Sequence, residues 1–172
     1  MNPLTAAVLA GTATGGRSFT GLAALALTAP DGSVRQPDRT LSGRWTRIAL
    51  AVAAAGEIVG DKLPSTPSRL VPPVLAGRML TAVACGAIIA RRVPRSRDVG
   101  DPQAPLPVPV PVPAAGTAAV LTVLAAPAAA ALSSVLGTRW RGLTARIFHT
   151  DLIGALIEDA ATVAVAAAAA RF

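Results

Sequence analysis

The chain has 172 residues, of which 52% are hydrophobic, 15% charged and 3% aromatic. Soluble domains carry about 25% charged residues, so a soluble chain of this composition would have difficulty covering its surface. The net charge of +7 would suggest nucleic-acid binding in a soluble protein. Here the arginines gather at the ends of apolar stretches, without an aromatic stacking surface. This pattern is typical of contact with a lipid bilayer and its anionic headgroups, and we expect no nucleic-acid partner.

Five apolar stretches approach the length of about 20 residues that a membrane span needs. We therefore predict an all-α, polytopic transmembrane helix bundle of about five spans, which forms a single domain over residues 1–172. The expected location is the cytoplasmic membrane, and a soluble Ala-rich helical bundle is the alternative. The five stretches are about 4 to 28, 45 to 61, 70 to 90, 114 to 136 and 150 to 170.

The first stretch contains several glycines around Arg17. Two interpretations stay open for them. The spacing Gly11-x-x-x-Gly15 is typical of close helix packing through small residues. The pair Gly15-Gly16 favours a break or kink in the helix, which is tolerated at membrane depth only where the break faces protein or water.

The connections between the stretches carry proline and arginine. Pro64 and Pro67 predict the end of the second helix. A Pro-rich loop at about 91–113 contains alternating prolines, which predict an extended polyproline II spacer that is a passive tether or binds a proline-reading partner. Pro127 predicts a kink in the fourth helix, and the residues from 137 to 150 have the composition of a headgroup-level connection.

The distribution of arginines predicts the orientation of the bundle. The first and third loops and the last residues hold more arginines than the remaining loops do, which favours an N-terminus outside and a C-terminus inside the cell. With five spans, the first two and the last two would run in opposite senses around the third. That arrangement is an inverted repeat.

Ionisable residues lie within the apolar stretches, where each costs about 2.5 to 3.5 kcal/mol at the centre of a span. We expect them to converge on one polar cluster that serves as an ion-binding site or proton relay. The alternative is that they form ion pairs that only fix helix packing. The predicted site residues are Arg17, Glu57, Asp61, Lys62, Arg78, Glu158 and Asp159.

Two pairs of acids stand out in this set. Glu57 and Asp61 are four residues apart and share one helix face, which suits proton coupling or cation binding. The alternative is an interhelical ion pair of Glu57 with Arg17 or Arg78. Glu158 and Asp159 are adjacent and diverge by about 100° on a helix, so we expect one to pair with Arg17 or Arg78 and the other to face a cavity or a neighbouring subunit.

Enzyme chemistry is not expected from this sequence. No nucleophile elbow, Walker loop or dinucleotide fingerprint is present. His149 is the only histidine and Cys85 the only cysteine, and no metal-ligand spacing accompanies them. We therefore predict no cofactor, no metal and no catalytic residue, and a membrane-embedded metal-dependent enzyme is kept only as a third alternative.

Three segments resemble signature stretches of a known family: Gly15 to Leu25, Glu57 to Pro64 and Leu156 to Asp159. They are similar to the Gly-x-Arg-x-Phe, Glu-x-x-x-Asp-Lys-Ile/Leu-Pro and late Glu-Asp segments of the bacterial integral-membrane domain-of-unknown-function family 4126. The resemblance implies a bacterial integral membrane protein of undetermined activity and supplies no substrate.

From the charged cluster we predict a small channel- or transporter-like protein linked to ions or protons, in which a homo-oligomer would provide room for a pathway. A membrane scaffold or accessory protein is the alternative.

Overall fold

The computed structural model describes residues 1–34, 36–61, 71–92, 115–148 and 151–171. Lys62, His149 and most of the Pro-rich loop lie outside the described residues. Within the described ranges all regular secondary structure is helical. The helices are α1 (Pro3–Gly16), α2 (Thr20–Leu27), α3 (Asp38–Leu41), α4 (Arg44–Gly60), α5 (Pro72–Arg92), α6 (Ala115–Phe148) and α7 (Asp151–Ala170).

The helix positions predicted from apolar stretches are largely confirmed. α4, α5 and α7 begin and end within two residues of the predicted stretches. α6 differs because it continues to Phe148, with Pro127 inside it. The residues beyond 136 that were expected to form a connection are therefore helical up to Phe148, since the arginine, leucine and alanine among them are good helix formers.

The first apolar stretch forms a helical hairpin and not one continuous span. α1 ends at Gly16 and α2 begins at Thr20, so the helix is broken, as one of the two interpretations of the glycines expects. A Cβ added to Gly21 would lie 3.0 Å from the carbonyl oxygen of Ala10 and 2.5 Å from Thr14 Oγ1. In a straight helix Gly21 would lie about 16 Å from Ala10 along the axis, so α2 folds back along α1.

Contacts with α1 give the directions of the other long helices. α6 runs parallel to α1, because Gly11 packs against Ala126 and Gly15 against Ala130. α5 runs antiparallel, since Arg78 reaches the carbonyl end of α1 while Cys85 lies beside Thr14 farther back. α7 is also antiparallel to α1, with Asp159 beside Arg17, Thr162 beside Gly16, and Ala169 in the same apolar core cluster as Ala6.

One end of the bundle, the N-terminal face, therefore holds the starts of α1, α4 and α6 and the ends of α2, α5 and α7. Two arginines tie α2 to this face. Arg92 at the end of α5 donates to the carbonyl of Leu25 at 3.1 Å, and Arg47 near the start of α4 donates to that of Ala26 at 3.0 Å. Arginines near a helix C-terminus satisfy its last carbonyls in this way.

Two orientation predictions differ from this arrangement. The start of α1 and the end of α7 lie on the same face, whereas the prediction of an outside N-terminus and an inside C-terminus requires opposite faces. α1 and α6 run in the same direction, whereas an inverted repeat requires opposite directions. Both predictions depended on a first stretch that crosses the bundle, and the hairpin returns instead.

Small residues bring α1 close to its neighbours. A Cβ on Gly11 would collide with the carbonyl of Ala126, and one on Gly15 with that of Ala130, so the predicted small-residue packing is confirmed. Ser133 adds a hydrogen bond from its Oγ to the carbonyl of Thr12 at 2.8 Å. α1 thus lies at the centre of the bundle, in contact with α2, α5, α6 and α7.

Within the part of the chain that the structure describes, three helices are long and apolar enough to cross a membrane: Pro72–Arg92, Gly116–Phe148 and Leu152–Ala170. Large apolar side chains on them point away from the bundle, among them Leu80 at 71% exposure and Leu132 at 61%. Many exposed apolar side chains of this kind are unfavourable in water, whereas a lipid bilayer accommodates them. The helices therefore indicate a membrane protein.

Gly11→Ala should destabilise the bundle, because the new methyl group meets the backbone of α6 and overpacking costs about 1 to 3 kcal/mol. The measurement is the thermal unfolding midpoint of purified protein in detergent. Gly56→Ala is the matched control, since nothing lies within 4 Å of a Cβ at this position in α4. A Gly11→Ala midpoint as high as that of Gly56→Ala would contradict the close packing.

Candidate functional site

The hairpin turn at Arg17, Ser18 and Phe19 brings two helix ends together inside the bundle. The last carbonyls of α1 and the first N–H groups of α2 have no partners within their own helices. They also carry the partial negative and positive charge of the two helix dipoles. Partners of the opposite charge are therefore needed at this buried turn.

Glu57 of α4 binds the N-terminal end of α2. Its Oε1 accepts hydrogen bonds from the backbone N–H and the hydroxyl of Ser18 at 2.8 and 2.9 Å, and its Oε2 accepts one from the N–H of Phe19 at 3.1 Å. A carboxylate at this position interacts favourably with the helix dipole and satisfies N–H groups that would otherwise lack partners.

Arg78 of α5 binds the C-terminal end of α1. Its Nη1 donates to the carbonyls of Gly15 and Gly16, the latter at 3.0 Å, and its Nη2 lies 3.3 Å from Glu57 Oε1. The side chain is only 3% exposed. The predicted alternative of an ion pair between Glu57 and Arg78 is thus confirmed, and this pair closes both helix ends of the turn.

Arg17 projects from the turn toward two acids on different helices. Its Nη1 lies 2.5 Å from Asp61 Oδ2 of α4. Its Nε donates to Asp159 Oδ1 of α7 at 2.9 Å, and its Nη2 contacts the same oxygen. Arg17 is 2% exposed, so this ion pair joins α4 and α7 through the hairpin.

Arg141 of α6 extends the same series of charges and was missed by the sequence analysis. Its Nη2 lies 2.8 Å from Asp61 Oδ2, and its Nε lies 3.3 Å from Glu158 Oε2. The signal was available in the helical spacing: Arg141 lies seven residues after the buried Ser134 and three before the buried Thr144, so the three share one face of α6. The interfacial composition of this segment concealed that face.

The structure thus brings six of the seven predicted site residues together at the turn, and Lys62 is outside the described residues. They form two groups, the Glu57–Arg78 pair and a second series of charges, which together we call the ion-pair network. Charges alternate along Glu158, Arg141, Asp61, Arg17 and Asp159. The adjacent acids of α7 diverge as expected, with Asp159 facing Arg17 and Glu158 facing Arg141. The network consists of Arg17, Glu57, Asp61, Arg78, Arg141, Glu158 and Asp159.

Glu158 also lines an open groove of about 620 Å³ between α1, α6 and α7. The walls of this groove are mainly apolar, with Val8 from α1, Leu132 and Leu136 from α6, and Val165 from α7. Glu158 therefore borders this groove as well as Arg141.

Among the described residues, no group of three His, Cys, Asp or Glu side chains is arranged to hold a metal ion. No family model, no curated protein and no solved structure matches the chain. The resemblance to family 4126 therefore stays a prediction.

Arg17→Gln should lower the free energy of unfolding by about 3 to 5 kcal/mol, because it leaves buried carboxylates without their cation. In the double variant with Asp159→Asn part of this loss should be recovered, since the uncompensated charge is removed as well. Denaturant unfolding in detergent measures the cycle. The control is Arg146→Gln, which replaces an exposed arginine on α6 and should change the free energy of unfolding by less than about 0.5 kcal/mol. If the losses caused by the Arg17 and Asp159 substitutions simply add in the double variant, the buried pair is refuted.

Proposed function

We propose that this chain is a small multi-pass transporter-like protein that moves a proton or a cation by way of the ion-pair network. The observation that carries the proposal is the meeting of two helix ends and seven ionisable side chains around the turn that holds the buried Arg17. Discontinuous helices whose ends face charged groups are the usual architecture of ion-coupling sites in secondary transporters. Ionisable residues at membrane depth are retained where they have such a task.

The proposed membrane placement has four crossings, by α4, α5, α6 and α7, and a re-entrant hairpin formed by α1 and α2. α1 has 14 residues and is about 21 Å long, which is shorter than the hydrocarbon core of about 30 Å. The tip at Arg17 would then lie within the membrane, surrounded by protein, where irregular backbone is tolerated. This arrangement replaces the five spans expected from hydropathy.

The N-terminal face would be cytoplasmic. The arginines of the loops on this face exceed those of the opposite face, and cytoplasmic loops collect positive residues. Because the hairpin returns to its starting face, the first residues of α1 and the last residues of α7 would both be inside the cell. This is the bacterial cytoplasmic-membrane location that the sequence predicts, with a revised topology.

Within the network we assign the mobile proton or cation to Glu158. This acid borders the groove and is paired with Arg141 of α6, so a proton or cation that reaches its carboxylate competes with Arg141 for it. Glu57 has the different task of binding the start of α2. Its removal would disturb the hairpin itself, so it is a poor reporter of transport.

The structural alternative is a membrane scaffold whose network only fixes helix packing. The observation that favours it is the closure of both hairpin ends by Glu57 and Arg78, which stabilises the fold whether or not an ion moves. Flux measurements separate the two functions, because a scaffold has no flux to lose.

The topology is tested by single cysteines in a Cys85→Ser background, labelled in intact cells with a membrane-impermeant maleimide. Asn2→Cys and Arg171→Cys should be protected alike, because both lie on the N-terminal face, whereas Gly142→Cys should be labelled. Labelling of position 2 together with protection of position 171 is the result expected from a first stretch that crosses the membrane, and it would exclude the re-entrant hairpin.

Transport is tested in liposomes that contain a pH-sensitive dye, under an imposed proton or alkali-cation gradient. Glu158→Gln should reduce flux at least about ten-fold, because it removes the exchanging charge, and its size-exclusion profile and helical circular dichroism should stay normal. Asp31→Asn is the matched control, since Asp31 is an exposed acid outside the network. Full flux in Glu158→Gln would refute the assignment, and absence of flux for every ion in the wild type would support the scaffold.

A further inference from the structure

The groove between α1, α6 and α7 has the dimensions of a site for one lipid chain. Its lining residues on α6 run from Ala129 to Leu143, a length of about 21 Å at the rise of an α-helix. One leaflet of the hydrocarbon core is about 15 Å deep. The groove is open along one side, so a chain in the surrounding bilayer can enter it laterally.

One end of the groove is polar, and the rest is not. Arg139, Trp140 and Glu158 line the same end, because the indole N–H of Trp140 donates to the carbonyl of Gly154 near the start of α7 at 3.3 Å. Tryptophan and arginine together are typical of the headgroup level. Toward the middle of the bundle the lining passes to Leu136 and Leu132.

Arg139 differs from the arginines of the network in its surroundings. It is exposed at the mouth of the groove and forms no ion pair within the described parts of the chain, whereas the acid at the same end, Glu158, faces Arg141. The positive charge of Arg139 is therefore presented to whatever occupies the groove. A phosphate is the complementary group at this level of a bilayer.

We propose that the groove binds an anionic phospholipid, with one acyl chain between α6 and α7 and the headgroup phosphate at Arg139. The apolar walls pack against the acyl chain, and Arg139 supplies the preference for negatively charged headgroups. Trp140 lies beside the part of the acyl chain that is nearest the headgroup. The proposal does not depend on transport, because it uses the groove surface and Arg139 only.

The test uses the full chain in phosphatidylcholine vesicles with increasing amounts of phosphatidylglycerol that carries brominated acyl chains. A Trp45→Phe background leaves Trp140 as the only tryptophan, and bromine quenches its fluorescence on contact. We expect quenching that saturates at a low mole fraction of phosphatidylglycerol. Brominated phosphatidylcholine should quench only in proportion to its mole fraction.

Two variants with matched controls identify the site. Arg139→Gln should raise the mole fraction for half-quenching about five-fold, whereas Arg146→Gln, which is exposed on α6 outside the groove, should leave it unchanged. Ala161→Phe places a ring in the groove and should abolish the saturable quenching. Ala164→Phe, exposed on α7 outside the groove, should not.

Equal quenching by the two lipids, unchanged in Arg139→Gln and Ala161→Phe, would overturn the proposal and leave ordinary bilayer contact. A dimer in size-exclusion chromatography that Ala161→Phe dissociates would also overturn it, because a second copy would then fill the groove. Native mass spectrometry provides an independent readout. Retention of phosphatidylglycerol by the wild type and its loss in Arg139→Gln would support the site.

Discussion

The buried turn between α1 and α2 places two helix ends where water does not satisfy them, and the rest of the structure depends on how they are paired. Glu57 binds the N–H groups of Ser18 and Phe19, which lead into α2, and Arg78 binds the carbonyls that end α1. Each side chain satisfies backbone groups at a helix end that carries partial charge of the opposite sign, and the charges of Glu57 and Arg78 neutralise each other. This double closure fixes α4 and α5 against the hairpin.

The same turn explains why the ion-pair network extends across the bundle. Arg17 follows the last residue of α1 and has no route to water, so it is stable only with acids brought by other helices. Asp159 and Asp61 meet it from α7 and α4, and Asp61 in turn faces Arg141 of α6. Removing any member leaves a buried charge uncompensated. This series of five charges is therefore a single electrostatic unit.

The architectural interpretation gives the central role to Glu57 and Arg78, and the transport interpretation gives it to Glu158. Glu57 and Arg78 hold backbone groups, a task that requires them to stay in place. Glu158 borders an open groove, and a displacement of its charge leaves the hairpin ends closed. Under the proposed function, the residues at the hairpin would stay in place while the ion exchanges at the groove. A lipid bound in that groove, as we propose, would lie next to Glu158.

The sequence by itself determined the helical architecture and most of the network. Leu, Val, Ile and Ala runs set α4, α5 and α7. Charges inside the apolar stretches identified Arg17, Glu57, Asp61, Arg78, Glu158 and Asp159, because an unpaired charge there is too costly to retain. Only the tertiary structure decided the return of α2 and the role of Arg141. Hydropathy along the chain does not record a reversal of direction, and the partners Arg17 and Asp159 are 142 residues apart, so their pairing depends on how the helices pack.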